Sequence, residues 1–120
     1  MFALLNPFAA GADKIAPAAA VAMVKSGEAV LIDVREPAEF AQSRADGAVN
    51  IPVSQLSWMG DPSSADSAVA LTTGKPVILY CASGARSGMA GKLLRKRGHK
   101  TVYNLGSLNE WRNGGGRVLG

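Results

Sequence analysis

The sequence contains a single cysteine, Cys81, placed where an apolar run meets a loop of small residues. The run is PVILY and the following residues are CASGARS, so Cys81 stands between a predicted buried strand and the start of a helix. At such a junction the N–H groups of the loop and of the first helical turn favour a negative charge. The position therefore favours a lowered thiol pKa and can hold a thiolate, a persulfide or an anionic substrate group.

The loop after Cys81 has a composition suited to an anion. Four small residues let the backbone approach a ligand closely, namely Ala82, Ser83, Gly84 and Ala85. Of these, Gly84 can adopt a left-handed conformation. Arg86 closes the loop with a permanent positive charge that suits oxyanions, and Ser87 is predicted to cap the helix. The plainer interpretations are a buried structural thiol and a solvated surface arginine.

The elements that must position this loop alternate along the chain. KIAPAAAVAMVKSG predicts a short strand and then a helix that begins near Pro17 and stops at Gly27. AVLID and PVILY are apolar runs typical of buried parallel strands. Between them, EPAEFAQ predicts a short helix begun by Pro37, GAVNIP a short strand closed by Pro52, and VSQLSWM another helical piece.

The second half of the chain continues the alternation. Residues 60–76 are rich in Ser, Asp, Pro and Gly, with a possible short helix over Ala65 to Leu71. After the cysteine loop, a helix is predicted to end at Gly98, with TVYNL as a further strand and SLNEW as the start of a last helix. The apolar face of the helix after the cysteine loop is predicted to comprise Met89, Ala90, Leu93 and Leu94.

This alternation predicts an α/β fold with a central, mainly parallel sheet covered by helices on both faces. In such sheets the functional crevice lies beyond the carboxyl ends of the strands. One predicted strand runs into Asp33 and Arg35, and another runs into Cys81. We therefore expect these residues at the same edge of the sheet.

Length and composition limit the classes of protein that fit. The chain has 120 residues, 48% of them apolar and 18% charged, which suits one globular domain over residues 13–120 after a flexible lead-in over residues 1–12. A net charge of +4 suits a small anionic substrate and is too weak to indicate nucleic acid. One cysteine forms no internal disulfide, and with one histidine it supplies no metal site. Without a signal or membrane segment, a soluble, reducing, cytoplasmic setting is expected.

Four segments in order resemble the rhodanese (sulfurtransferase) family, and they cover about residues 14 to 115. They are LIDVREPAEF, GAVNIP, YCASGARS and GHKTVYNLGSLNEW. The resemblance implies the rhodanese-like α/β fold, with a central, mainly parallel five-stranded sheet. It also implies an active-site loop of six residues from Cys81 to Arg86. Two positions depart from the family pattern, Arg44 in place of a histidine and Ser107 in place of a glycine.

The same resemblance implies roles for the site residues. Cys81 would be the nucleophile that accepts a sulfane sulfur as a persulfide, and no other cofactor is needed. The backbone amides of Ala82 to Ser87 would surround that sulfur, and Arg86 would bind an anionic donor such as thiosulfate. Asp33 and Arg35 would support the site through hydrogen bonds. The acceptor would be cyanide in vitro or a thiol, with a protein acceptor as a further possibility.

Two other functions remain open at this point. The first is a phosphatase or arsenate reductase. Tyrosine-phosphatase-type loops have five residues between cysteine and arginine, whereas CASGAR has four. An arsenate reductase that forms an internal disulfide also needs a second cysteine. The second is a non-catalytic module that carries sulfur or docks to a partner, which would have the same sequence features. Its docking face would be a basic cluster formed by Lys92, Arg95, Lys96, Arg97 and Lys100. The plainer interpretation of this cluster is a solvated helix face. Trp58 and Trp111 are predicted to be packing residues, and His99 a surface residue.

Overall fold

The computed structural model describes residues 11–61 and 68–120. Seven strands and five α-helices occur in these ranges, with one 3-10 turn at Val69–Leu71. The strands are β1 (Asp13–Lys14), β2 (Val30–Asp33), β3 (Arg44–Ala45), β4 (Val49–Asn50), β5 (Val77–Cys81), β6 (Val102–Ser107) and β7 (Val118–Leu119). The helices are α1 (Pro17–Lys25), α2 (Pro37–Gln42), α3 (Val53–Met59), α4 (Ala85–Lys96) and α5 (Leu108–Asn113).

Five of the strands form one parallel sheet in the order β1-β6-β5-β2-β4. The central strand β5 is buried along its whole length, as expected of an apolar strand that is covered on both faces. Because β2 and β5 are parallel neighbours, Asp33 pairs in register with Tyr80, one residue before Cys81. The predicted fold class is therefore confirmed, and the ends of β2 and β5 meet at one edge.

Helices cover both faces of this sheet. On one face, α3 and α4 contribute Leu56 and Leu94 to a cluster that includes Cys81. On the other face, α1 and α5 contribute Val21 and Trp111. Trp111 is 1% exposed within this cluster, so the packing role predicted for it is confirmed. Its indole N–H donates to the Arg117 carbonyl oxygen at 2.8 Å.

Two packing predictions were wrong, and one residue expected at the surface is partly covered. Trp58 is half exposed, because α3 turns Leu56 rather than the tryptophan toward the sheet. Met89 is 65% exposed, because the buried face of α4 consists of Ser87, Ala90, Gly91 and Leu94. Most residues of that face are small or polar, so the spacing of large apolar residues does not identify it. His99 is half-buried, and its Nε2 lies 2.7 Å from the Gly60 carbonyl oxygen.

The antiparallel pair β3–β7 was not predicted; in it Arg44 pairs with Leu119 and Ala45 with Val118. Two-residue strands are too short to produce a hydrophobic period. The helix expected over residues 65–71 falls partly outside the described residues, and its described end is the 3-10 turn. Most of the expected lead-in also lies outside them, so the domain boundary at residue 13 stays a prediction.

Within the described ranges, no helix combines the length and the apolar character that crossing a membrane requires. The longest of these helices, α4, has 12 residues and ends in basic side chains.

Packing between α4 and the sheet can be tested with Leu94→Ala. Leu94 is fully buried, so we expect the free energy of unfolding to fall by about 2–5 kcal/mol. Val69→Ala is the matched control, because Val69 is 81% exposed and its truncation removes little buried surface. Urea denaturation measures the free energy of unfolding of both variants. An equally small decrease in the two variants would contradict this packing of Leu94.

Candidate active site

The sulfur of Cys81 lies at the end of β5, inside the turn that leads into α4. Cys81 is buried, and its Sγ accepts a hydrogen bond from the Gly84 N–H at 3.0 Å and another from the Ser87 N–H at 3.4 Å. The Ser87 hydroxyl oxygen lies 3.3 Å from the same sulfur. Three polar groups of the loop and the first helical turn therefore converge on one atom.

Gly84 makes this turn possible. Its φ is +99°, in the left-handed region that the sequence predicted for it and that other residues rarely adopt. A Cβ at this position would also lie 3.5 Å from the Gly106 Cα, so the turn packs closely on β6. Gly84 is the residue that precedes α4, which corrects the prediction that Ser87 caps the helix.

Ser87 instead lies within the first turn of α4, with its side chain buried against the sulfur. Its hydroxyl donates to Asn104 Oδ1 at 2.7 Å, and Asn104 Nδ2 in turn donates to the Gly84 carbonyl oxygen at 3.1 Å. Asn104 of β6 therefore holds both ends of the turn. Because a hydroxyl has one hydrogen, Ser87 can donate to the Cys81 thiolate only by turning away from Asn104.

These contacts set the direction in which the pKa of Cys81 is shifted. Burial alone would raise the pKa of the thiol. The Ser87 hydroxyl and the N–H groups of Ser87, Ser83 and Gly84 outweigh that effect together, so the pKa of Cys81 is lower than that of an ordinary cysteine. The surroundings therefore favour a thiolate, as the sequence predicted for this position.

Arg86 lies at the end of the loop and has a partner that the sequence did not predict. Its guanidinium forms two hydrogen bonds with Glu39 of α2, Nη1 to Oε1 at 2.7 Å and Nη2 to Oε2 at 3.0 Å. Both side chains are just over one third exposed. Its pKa is raised, mainly by Glu39 and with a smaller contribution from the Cys81 charge, so Arg86 remains cationic near the sulfur.

Asp33 and Arg35 form a buried ion pair where β2 ends. Arg35 Nη2 lies 2.8 Å from Asp33 Oδ2, Arg35 Nε contacts both carboxylate oxygens at 3.1 Å, and Arg35 Nη2 also donates to the Ser43 carbonyl oxygen. Asn50 Nδ2 donates to the backbone oxygens of both residues. The Val34 N–H, between the two residues of the pair, donates to the Tyr80 carbonyl oxygen at 3.1 Å. This hydrogen bond connects the end of β2 to β5 just before the cysteine. The supporting role expected of the pair stays a prediction.

The two departures from the family pattern have local roles. Ser107 caps α5, since its hydroxyl accepts a hydrogen bond from the Glu110 N–H at 3.2 Å. The Arg44 guanidinium lies 5.6 Å from the centroid of the Phe40 ring, a cation–π distance. Both substitutions are therefore accommodated by contacts outside the cysteine loop.

The predicted basic cluster lies on α4 and just after it. Within that cluster, Arg95 forms an ion pair with Asp13 of β1 at 3.1 Å, so it also anchors the edge strand. The remaining cations are exposed, namely Lys92, Lys96, Arg97 and Lys100. Docking at this surface stays a prediction.

The sequence profile of the Rhodanese-like domain matches residues 16–114, most of the chain. The chain belongs to the rhodanese family. The matched range includes the whole cysteine loop, the Asp33–Arg35 pair and the Glu39–Arg86 pair.

Curated relatives share about a third to nearly half of the aligned residues. Uncharacterized protein YqhL of Bacillus subtilis is 44% identical over 92 residues, which are 76% of this chain and 64% of that protein. The putative mitochondrial thiosulfate sulfurtransferase of Schizosaccharomyces pombe is 39% identical over 68% of this chain and 62% of its own length. The thiosulfate:glutathione sulfurtransferase of Saccharomyces cerevisiae is 33% identical, with coverages of 75% and 69%. The chain thus spans less than two thirds of the first two relatives.

Solved structures have the same fold. The human single-domain sulfurtransferase TSTD1 superposes with a TM-score of 0.67 at 31% identity, covering 86% of this chain and 97% of that one. A Rhodopseudomonas palustris protein of unknown function, described as a possible tyrosine phosphatase, gives a TM-score of 0.77 at 28% identity, with coverages of 90% and 85%. The fold alone therefore does not separate sulfur chemistry from phosphate chemistry.

Two site residues could have been found in the sequence. Glu39 belongs to EPAEF, where Glu36 and Glu39 have the spacing of a capping box, and the structure forms that box. Asn104 is a polar residue inside the apolar strand TVYNL, which is a sign of a specific hydrogen bond. Neither pattern identifies its partner across the fold, because Arg86 and Ser87 come from a distant segment.

Ser87→Ala tests how strongly the hydroxyl stabilises the thiolate. The variant keeps the N–H donors and loses the hydroxyl that can turn from Asn104 to the thiolate, so the pKa of Cys81 should rise. Alkylation by iodoacetamide at pH 7 should slow by roughly tenfold, which corresponds to ~1.4 kcal/mol of hydrogen bonding to a charged group.

The pH profile of alkylation separates this effect from a loss of structure. In Ser87→Ala its midpoint should move to higher pH while the plateau rate stays the same. Ser57→Ala, at an exposed position of α3, serves as the control and should match the native protein. An unchanged midpoint in Ser87→Ala would contradict the role given to its hydroxyl.

Proposed function

We propose that this protein is a sulfurtransferase that carries a sulfane sulfur on Cys81 as a persulfide. The observation that carries the proposal is the convergence of the Gly84 N–H, the Ser87 N–H and the Ser87 hydroxyl on the Cys81 sulfur. Such donors stabilise the attacking thiolate and the terminal sulfur of a persulfide alike, because each bears a negative charge. The carried sulfur takes the place of a cofactor.

In the first half-reaction, the Cys81 thiolate attacks the outer sulfur of a donor such as thiosulfate. A new S–S bond forms on Cys81, the bond between the two sulfur atoms of the donor breaks, and sulfite leaves with the electron pair of that bond. No proton moves, so the reaction needs no general base when the loop already holds the thiolate. Arg86 would compensate the anionic charge of the donor.

In the second half-reaction, a thiophilic acceptor attacks the terminal sulfur of the persulfide. Cyanide would give thiocyanate and a thiol would give a new persulfide, and in both cases Cys81 returns to its thiolate form. The acceptor enters after sulfite has left, which gives ping-pong kinetics. A protein thiol is a further acceptor of the same chemistry.

Relatives and loop length both support sulfur over phosphate. Several curated relatives are named thiosulfate sulfurtransferases, including PspE of Escherichia coli at 32% identity. The loop from Cys81 to Arg86 has four intervening residues, one fewer than a tyrosine-phosphatase-type loop, and its smaller ring of amides suits a single sulfur atom. A cytoplasmic setting, in which thiols stay reduced, fits this chemistry.

Mass spectrometry tests the persulfide directly. After incubation with thiosulfate, the native protein should gain ~32 Da on Cys81, the mass of one added sulfur atom, and cyanide should remove it. Cys81→Ser should gain nothing, because the hydroxyl is not a comparable nucleophile. Initial rates measured against thiosulfate concentration, at several fixed cyanide concentrations, should give parallel lines in a double-reciprocal plot.

Two results would contradict the proposal. One is thiosulfate:cyanide turnover that persists in Cys81→Ser. The other is a native protein that gains no sulfur from thiosulfate or from an organic thiosulfonate, which would favour a docking module instead.

A further inference from the structure

The cation expected to bind the donor is already engaged by a carboxylate. Glu39 occupies both terminal nitrogens of Arg86, at 2.7 and 3.0 Å. The pair connects α2 to the end of the cysteine loop, so the acidic side chain lies beside the cation that closes the loop. An anionic donor that approaches Arg86 therefore meets the charge of Glu39 as well.

Glu39 is fixed in this position by its own helix. Its Oε1 accepts the Glu36 N–H at 3.0 Å, and the carboxylate of Glu36 completes the capping box at the start of α2. Hydrogen bonds from Arg86, and next from the Glu36 N–H, lower the pKa of Glu39 to about 2. The side chain is thus ionised at any pH at which the thiolate would react.

A donor with two negative charges is affected more than a donor with one. Coulomb energy scales with the product of the charges, so Glu39 repels thiosulfate about twice as strongly as it repels a monoanion at the same place. The Cys81 thiolate adds repulsion of the same sign. To bind Arg86 in place of Glu39, either donor must break the same ion pair, whose side chains are just over one third exposed.

We propose that Glu39 is a specificity-determining residue that favours sulfur donors with at most one negative charge, such as organic thiosulfonates and persulfides, over thiosulfate. This inference rests on the proposed sulfurtransferase function. Methanethiosulfonate is the matched probe, because it replaces one anionic oxygen of thiosulfate by a methyl group. The Cys81 thiolate takes its outer sulfur in the same way, and methanesulfinate leaves with the electron pair in place of sulfite.

The test compares kcat/KM for the two donors in the native protein and in Glu39→Gln, with cyanide as acceptor. Glutamine also completes a capping box at this position, so α2 should keep its structure. Removing the charge should raise kcat/KM by about fourfold for thiosulfate and about twofold for methanethiosulfonate, as expected for an interaction at an exposed site. Both gains should shrink as ionic strength rises.

Glu28→Gln is the matched control. Glu28 is an exposed carboxylate just before β2, at the opposite end of the sheet from Cys81, and it accepts a hydrogen bond from the Ser26 hydroxyl. Glu28→Gln changes the net charge by the same amount as Glu39→Gln and should leave the kcat/KM values for both donors unchanged. Thermal unfolding of both variants should show that the fold persists.

The outcomes separate this inference from the proposed function. Equal gains for the two donors, or an unchanged or lower kcat/KM for thiosulfate in Glu39→Gln, would overturn the role of Glu39 while sulfur transfer through Cys81 stands. A fall for both donors would identify Glu39 as a residue that only positions Arg86. A native protein that takes sulfur from neither donor would overturn both proposals.

Discussion

The turn from β5 into α4 is the constraint on which the rest of the site depends. It aims the N–H groups of Gly84 and Ser87 at the sulfur of Cys81, and it exists because Gly84 adopts a positive φ against β6. Asn104 fixes the turn from the neighbouring strand through hydrogen bonds to Ser87 and to Gly84. The parallel sheet therefore contributes directly to the electrostatics of the sulfur, as well as bringing the loop to its carboxyl edge.

Two ion pairs near this turn differ in their burial. The buried pair of Asp33 and Arg35 ties the end of β2 to its surroundings, and removing one partner of such a pair leaves an uncompensated buried charge. The pair of Glu39 and Arg86 is just over one third exposed beside the loop, where water screens it. The two ion pairs are thus similar in composition and differ in burial, and the selectivity we propose rests on the exposed one.

Much of this architecture could be predicted from the sequence, for identifiable reasons. The alternation of apolar runs and helical segments predicts the parallel sheet, and the position of Cys81 after PVILY predicts a sulfur at its edge. The small residues around Gly84 predict the turn. The partners of Arg86 and Ser87 could not be predicted, because Glu39 and Asn104 meet them only through the tertiary fold. The exposure of Met89 and the short pair β3–β7 were missed because neither leaves a periodic pattern.

The folded loop stabilises negative charge on Cys81. Because the chain has one cysteine, the thiolate absorbance near 240 nm can be titrated against pH and corrected with Cys81→Ser. The titration is made once in buffer and once in guanidinium chloride, where the loop is unfolded. We expect a lower pKa of Cys81 in the folded protein than in the unfolded chain. A pKa in buffer equal to or above the value in guanidinium chloride would contradict it.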